Sequence, residues 1–185
     1  PAAPVELAQL HAPAAHGALA PEAKRRFVEA TEARSPAAMV GDGVNDAAAL
    51  AAAGGTPCLD LDTVAWEPGL SAVPRNDELA RADVRVFCHS SPHWVVEGCY
   101  ATLIEAALEF TPTLLFLNPG LDACLANCRS RPWEPHKYAS QQEQDANLQF
   151  LLSWVADYYT RTGPLSLAAH ASCYQSYAGP KRELQ

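Results

Sequence analysis

The chain has 185 residues, 49% of them hydrophobic, which is enough apolar material for the core of one domain of ordinary size. Its formal net charge of −8 argues against a general nucleic-acid or anionic-membrane binder, although a local basic pocket could still hold a phosphorylated ligand. No apolar run reaches the roughly 18 residues that a membrane-spanning helix needs, so no membrane partner is expected.

The N-terminal part of the chain is predicted to be a lead-in followed by a helix, a strand, a turn and a second helix. Residues 1–20, rich in Ala, Pro and His, predict a loosely ordered segment, and the start at Pro1 without an initiator Met predicts a fragment or a processed chain. A helix is predicted from Pro21 to about Ala33, a strand at Ala37–Val40 and a further helix at Asp46–Ala53.

The remainder of the chain, residues 54–185, alternates short apolar runs with amphipathic stretches. The predicted strands are Cys58–Asp62, Trp94–Glu97 and Thr113–Leu117, and the predicted helices are Asp77–Cys88, Ala101–Glu109, Pro119–Arg129, a segment around Leu148–Val155, and Leu165–Tyr177. This alternation predicts right-handed βαβ crossovers in an α/β fold, a three-layer α/β/α sandwich with a parallel sheet of about four strands. Residues 21–185 are expected to form one folded unit.

The six cysteines show no Cys-x-x-Cys pair, which favours a reduced, cytoplasmic chain over a secreted one. Cys124 and Cys128 are four residues apart and could share one face of a helix as soft metal ligands. Since no further Cys or His of matching spacing completes a zinc site, helix packing is the favoured interpretation of this pair.

A glycine turn that carries two acids and an amide follows the first predicted strand. It contains Gly41, Asp42, Gly43, Asn45 and Asp46. Glycine lets the backbone turn sharply and approach a ligand closely, and hard carboxylate oxygens suit Mg²⁺ while they repel a bare phosphate. Asp42 and Asp46 are therefore the predicted metal ligands, in a site that combines Mg²⁺ with a phosphate group.

Further polar residues follow the other predicted strands. Asp60 and Asp62 end the second strand, Glu97 and Gly98 end the third, and Asn118 follows the fourth as a helix cap. Because ligands of open parallel sheets bind at the carboxyl ends of the strands, these residues are expected to converge at one edge.

A polar, proline-punctuated segment at residues 129–142 predicts a mobile lid. Arg129 and Arg131 lie in it, and arginines at a lid can neutralise a phosphoryl group in transfer. A solvated polar loop is the alternative.

From about Leu19 to Ala53 the chain resembles the phosphorylation-domain segment of P-type cation-transporting ATPases, especially the heavy-metal pumps. The resemblance rests on Leu-Ala-Pro-Glu-Ala-Lys-Arg-Arg-Phe-Val and on Met-Val-Gly-Asp-Gly-Val-Asn-Asp-Ala. It implies that Asp42 binds Mg²⁺, that Asn45 and Asp46 support a phosphate site, and that Lys24 contacts a phosphorylated aspartate. The Asp-Lys-Thr-Gly-Thr motif of that aspartate does not occur in these 185 residues.

From about Thr56 to Leu184 the chain is similar to small bacterial P-loop kinase-like proteins, relatives of shikimate, gluconate and adenylate kinases. The similarity rests on Leu-Asp-Leu-Asp-Thr, Trp-Glu-Pro-Gly, Trp-Val-Val-Glu-Gly-Cys-Tyr and the lid segment. It implies a P-loop NTPase-like fold that uses ATP and Mg²⁺. It also implies that Asp60 and Asp62 hold the acceptor hydroxyl and that Arg129 and Arg131 clamp the phosphates.

Three hypotheses follow from these two resemblances. The first is a kinase-like domain that transfers a phosphoryl group from Mg·ATP to a small acceptor, with an altered phosphate loop at Gly41–Ala47, where two acids replace the usual Lys and hydroxyl. The second is a fragment of a pump's phosphorylation domain. The third is a non-catalytic α/β domain that binds Mg²⁺ or another ligand.

Overall fold

The computed structural model describes residues 36–41, 55–68, 73–133 and 139–184. The strands in these ranges are β1 (Ala37–Gly41), β2 (Cys58–Asp60), β3 (Val95–Gly98), β4 (Thr113–Leu117) and β5 (Lys181–Leu184). The helices are α1 (Asp62–Ala65), α2 (Asp77–Ser90), α3 (Ala101–Leu108), α4 (Leu121–Arg129), α5 (Gln141–Asp157) and α6 (Leu167–Ser176).

The strands form one five-stranded sheet in the order β2-β3-β1-β4-β5, and every neighbouring pair is parallel. β1 is the central strand, and its Ala37 aligns with Val95 on one side and with Thr113 on the other. Because the strands are parallel, their carboxyl ends all lie at the same edge of the sheet. The architecture is therefore α/β with a parallel sheet, as the sequence predicts.

The central strands are apolar along nearly their whole length because both of their faces are buried, as is usual for parallel sheets. One face packs against α2, α3 and α6 and forms the main core, which contains Ala38, Val40, Val84, Trp94, Val96, Ile104, Leu114, Phe116 and Cys173. The other face carries a second buried cluster of Ala37, Met39, Val95, Leu115, Leu117 and Leu184.

Sequence reasoning located four of the five strands and missed β5. Lys181, Arg182 and Glu183 are exposed, so β5 has no apolar pattern of its own. It becomes a strand because it pairs with the free edge of β4, where Leu114 aligns with Lys181 and Leu117 aligns with Leu184. Charged residues on an outermost strand also discourage further edge-to-edge pairing.

The sequence predicted that the helix after the fourth strand starts at Pro119, with Asn118 as its cap. This prediction is wrong. α4 begins at Leu121, and Gly120 precedes it with a φ of 92°. Asn118 instead continues the sheet contact, because its backbone N–H donates to the carbonyl of Leu184 at 2.8 Å and its side chain donates to Glu183 at 3.2 Å.

Cys124 and Cys128 lie on the buried side of α4 and pack with Val155 of α5. The interpretation of this pair as helix packing is confirmed. Among the described residues, which include all six cysteines, no disulfide is formed. No helix in the described ranges combines the length and the apolar character that crossing a membrane requires.

Candidate functional site

The carboxyl edge of the sheet brings together four of the residues that the sequence singled out. Gly41 ends β1, Gly98 ends β3, Asp60 ends β2 and Asp62 opens the short helix that follows. The register sets Asp60 beside Glu97, and Glu97 beside Met39 of the central strand. As expected, Asp60 and Asp62 therefore lie at the same edge as the glycines that end β1 and β3.

Most of the predicted metal and phosphate turn lies outside the described residues. Lys24, Asp42, Gly43, Asn45 and Asp46 belong to that part of the chain, so their assignment to Mg²⁺ and phosphate stays a prediction. In the ranges that the structure describes, no three His, Cys, Asp or Glu side chains come together as metal ligands.

Gly41 and Gly98 share an unusual backbone conformation at the ends of adjacent strands. Their φ values are 154° and 152°, a region that L-residues rarely adopt. A Cβ on Gly41 would collide with the carbonyl oxygen of Leu117, and a Cβ on Gly98 would lie 2.8 Å from the Cβ of Leu61. Only glycine therefore fits at either position, and this lets the sheet stay closely packed at the edge where the polar residues gather.

Leu61 anchors the two aspartates to the sheet. Its backbone N–H donates to the carbonyl of Glu97 at 2.9 Å, and its side chain is fully buried against Gly98. The predicted strand through Asp62 is too long, because β2 stops at Asp60, whose carboxylate accepts the backbone N–H of Asp62 at 2.9 Å and turns the chain. The two carboxylates therefore differ in surroundings, with Asp60 half-buried and Asp62 exposed.

Two aromatic side chains, Tyr100 of the loop between β3 and α3 and Trp66 after α1, fix the position of Asp62. The hydroxyl of Tyr100 donates to Asp62 Oδ1 at 2.7 Å and accepts the indole N–H of Trp66 at 2.9 Å. The two rings meet edge to face with their centroids 6.4 Å apart. Burial raises the pKa of Tyr100 above its ordinary value, and the Asp62 carboxylate raises it further, so the hydroxyl keeps its proton.

Glu97 is a buried acid at the same edge, with 2% of its surface exposed. It follows Val95 by two residues on β3, so its side chain points to the sheet face that carries Met39 and Leu115. Asp60 lies in the same register row and follows Cys58 in the same way. Two carboxylates therefore occupy neighbouring positions on one face of the sheet, at its carboxyl end.

A buried histidine connects this edge to the C-terminal helices. His170 of α6 is fully buried, and its Nε2 lies 2.7 Å from the carbonyl oxygen of Cys99. Since a carbonyl only accepts, Nε2 carries the proton, and the neutral ring accepts the hydroxyl of Tyr158 at Nδ1, 2.8 Å away. The loop between β3 and α3 is thereby fixed to the end of α5.

The lid arginines are attached to α4 and its following turn. Arg129 is the last residue of α4 and is exposed, and Arg131 is half-buried. The side chain of Gln144 donates to the carbonyl of Pro132 at 3.0 Å and joins this turn to α5. The assignment of Arg129 and Arg131 to a phosphate clamp stays a prediction.

Two of the cysteines are unsuited to nucleophilic chemistry. Burial raises the pKa of Cys88 to about 12 and the pKa of Cys173 to about 11. Since the thiolate is the reactive form, both side chains act as small apolar residues of the core.

Sequence reasoning missed the residues that support Asp62. Trp66 and Tyr100 appeared in the motifs that carry the kinase resemblance, but a motif does not state which hydrogen bonds its residues form. Leu61 carried a usable signal, because an apolar residue between two acids at a strand end predicts an inward anchor. His170 gave no signal, since its partners Cys99 and Tyr158 are set by the packing of α6 alone.

Comparison with protein-family models, with curated proteins and with solved structures found no match to this chain. Both resemblances stated from the motifs therefore stay predictions. The structure itself shows an α/β fold with a five-stranded parallel sheet.

Proposed function

We propose that the chain is a P-loop-kinase-like domain of three layers that transfers a phosphoryl group from Mg·ATP to a small acceptor with a hydroxyl group. The observation that carries this proposal is the position of Asp60 and Asp62 at the carboxyl edge of a parallel sheet whose central strand ends in Gly41. Carboxylates are needed at that edge to orient an acceptor hydroxyl and to approach Mg²⁺.

The strand order supports a ligand at the same edge. β1 is followed by β2 on one side of the sheet, and β4 is followed by β5 on the other side. The chain thus leaves the adjacent strands β1 and β4 in opposite directions, and this opens a crevice between their carboxyl ends. Ligands of open α/β sheets bind in such crevices. The crevice is bordered by Gly41 and by Asn118, while Asp60 lies two strands away, at about 10 Å. This span suits a nucleotide phosphate on one side and an acceptor on the other.

The charges assign separate tasks to the predicted residues. Asp42 and Asp46 repel a phosphate unless Mg²⁺ lies between them, so the metal is an obligatory part of the proposed site. Arg129 and Arg131 supply positive charge, and movement of the segment that carries them would complete the clamp on the phosphates.

A second candidate is a domain that binds Mg²⁺ or a nucleotide without turnover. It is favoured by one feature of the sequence, since the Gly-x-x-x-x-Gly-Lys-Ser/Thr phosphate loop does not occur in it. The pump-fragment hypothesis depends on Lys24, Asp42, Asn45 and Asp46.

Calorimetric titration of the whole chain with Mg·ATP tests the proposal. We expect binding in the micromolar to millimolar range, about tenfold weaker after Arg129→Ala because a charged hydrogen bond to phosphate is lost. Arg85→Ala is the matched control, since Arg85 pairs with Glu109 on the outer surface and should leave binding unchanged.

Three results would decide between the candidates. Absence of heat up to millimolar Mg·ATP would rule out the active-kinase proposal. Binding without ADP release in the presence of hydroxyl acceptors would favour the non-catalytic domain. Binding that weakens about tenfold after Arg129→Ala and is unchanged after Arg85→Ala would support a kinase-type site.

A further inference from the structure

A directed chain of hydrogen bonds ends on Asp62. The indole N–H of Trp66 can only donate and the Asp62 carboxylate can only accept, so the intervening Tyr100 hydroxyl must point its proton at Asp62 Oδ1. Each bond strengthens the next, because a hydroxyl that accepts a hydrogen bond becomes a better donor. The orientation of the carboxylate is therefore set by two aromatic side chains.

The two aromatic side chains are well placed for this task. Trp66 and Tyr100 are both half-buried, and their edge-to-face contact restricts the motion of either ring. Tyr100 directly precedes α3, whose first turn is fixed by the N–H of Ala101 to the carbonyl of Pro164 at 3.2 Å. The Tyr100 hydroxyl therefore reaches Asp62 from a half-buried position that the start of α3 holds in place.

Asp62 and Asp60 differ in the hydrogen bonds that their carboxylate oxygens accept. Asp60 Oδ1 accepts the backbone N–H of Asp62 and stabilises its own turn. In Asp62, Oδ1 is taken by Tyr100, whereas Oδ2 accepts no hydrogen bond from any described residue, and the side chain is exposed. One oriented oxygen therefore faces the solvent at the carboxyl edge of the sheet.

We infer that Tyr100, itself fixed by Trp66, is the positioning residue of Asp62 and sets the orientation of its carboxylate; the inference rests on the proposed function, in which Asp62 holds the acceptor hydroxyl. In the reaction, the acceptor oxygen forms a bond to the γ-phosphorus of ATP, and the bond from that phosphorus to the β–γ bridging oxygen breaks. ADP leaves with the bridging oxygen. The proton of the acceptor hydroxyl passes to Asp62 Oδ2 and from there to solvent.

The test uses Mg·ATP hydrolysis by the whole chain, with water in place of the acceptor. Tyr100→Phe keeps the ring and removes the hydroxyl, so we expect kcat to fall about tenfold while KM for Mg·ATP is unchanged. Asp62→Asn should lower kcat about a hundredfold. The matched controls are Tyr174→Phe, whose ring lies 5.6 Å from Phe116 in the core, and Asp145→Asn on the exposed side of α5; both should retain wild-type kcat.

A second measurement checks the hydrogen-bond chain itself. In ¹H–¹⁵N spectra, the indole N–H of Trp66, identified by its absence in Trp66→Phe, should move upfield and exchange faster with solvent in Tyr100→Phe. An indole signal that does not move would overturn the inference. Equal kcat values for Tyr100→Phe and the wild type would also overturn it. Either result would leave the proposed function intact. Absence of any hydrolysis by the wild type would overturn both.

Discussion

Replacing Gly41 by alanine is expected to lower the free energy of unfolding by about 3 kcal/mol, because the new Cβ meets the backbone of β4 and not a movable side chain. The carbonyl oxygen and the Cβ of Leu117 both lie too close to the added atom, the latter at 2.9 Å. β1 and β4 would have to separate at their carboxyl ends. Urea unfolding monitored by circular dichroism measures the change.

Gly163→Ala separates the two causes of this effect. Gly163 also has a positive φ, 92°, but no atom lies within 4 Å of an added Cβ. Its substitution should therefore cost only the backbone strain, about 1 kcal/mol. If Gly41→Ala is no more destabilising than Gly163→Ala, β1 and β4 do not approach each other as described.

Replacing His170 by phenylalanine is expected to lower the free energy of unfolding by roughly 2–4 kcal/mol at pH 7.5, although a planar aromatic ring is retained. The substitution removes the hydrogen bond of His170 to the buried hydroxyl of Tyr158 and its hydrogen bond to the half-buried carbonyl of Cys99. The loss of these two hydrogen bonds carries most of the expected cost.

The stability of the wild type should also depend on pH through His170. Burial lowers the pKa of His170 below its ordinary value of 6.5, the charge of Arg161 lowers it further, and the carbonyls of Cys99 and Pro164 oppose the shift. The unfolded chain then binds a proton at higher pH than the folded chain. The stabilisation is complete above pH 6.5 and declines as the pH falls from there towards the lower pKa of the folded state.

Urea midpoints at several values between pH 5 and pH 8 test this dependence. The slope below pH 6.5 should be smaller in His170→Phe than in the wild type. His93→Gln is the control, because His93 is exposed and its backbone groups bond to Ser91. A slope that is the same in wild type and His170→Phe would show that His170 does not titrate differently on folding.

The parts of the fold that the sequence predicted are those in which apolar pattern and turn chemistry agree. Four consecutive apolar residues follow Thr113, and Thr113–Leu117 is β4 with the predicted bounds. The helices α2 and α3 begin where predicted, at Asp77 and Ala101. β5 was missed because the edge of β4, and no property of Lys181–Leu184 itself, makes it a strand.

The candidate site was predicted as a location and not as a set of contacts. The carboxyl-end rule placed Asp60, Asp62 and Gly98 at one edge, since it depends only on strand direction. The contact of Tyr100 with Asp62 joins residues 38 positions apart, so no local pattern could reveal it. The predicted start of α4 was wrong for a similar reason, because the side chain of Asn118 donates a hydrogen bond to Glu183 of β5, which is distant in the sequence.

The central position of β1 sets the order in which the sheet can assemble. Its partners in β3 and β4 begin 58 and 76 residues later, so β1 emerges from the ribosome long before either neighbour exists. Parallel pairing over such separations is slow, and an unpaired apolar strand is prone to aggregate meanwhile. We therefore expect refolding yields that fall as protein concentration rises and that recover when a chaperone shields Ala37–Gly41 until this strand has paired with β3 and β4.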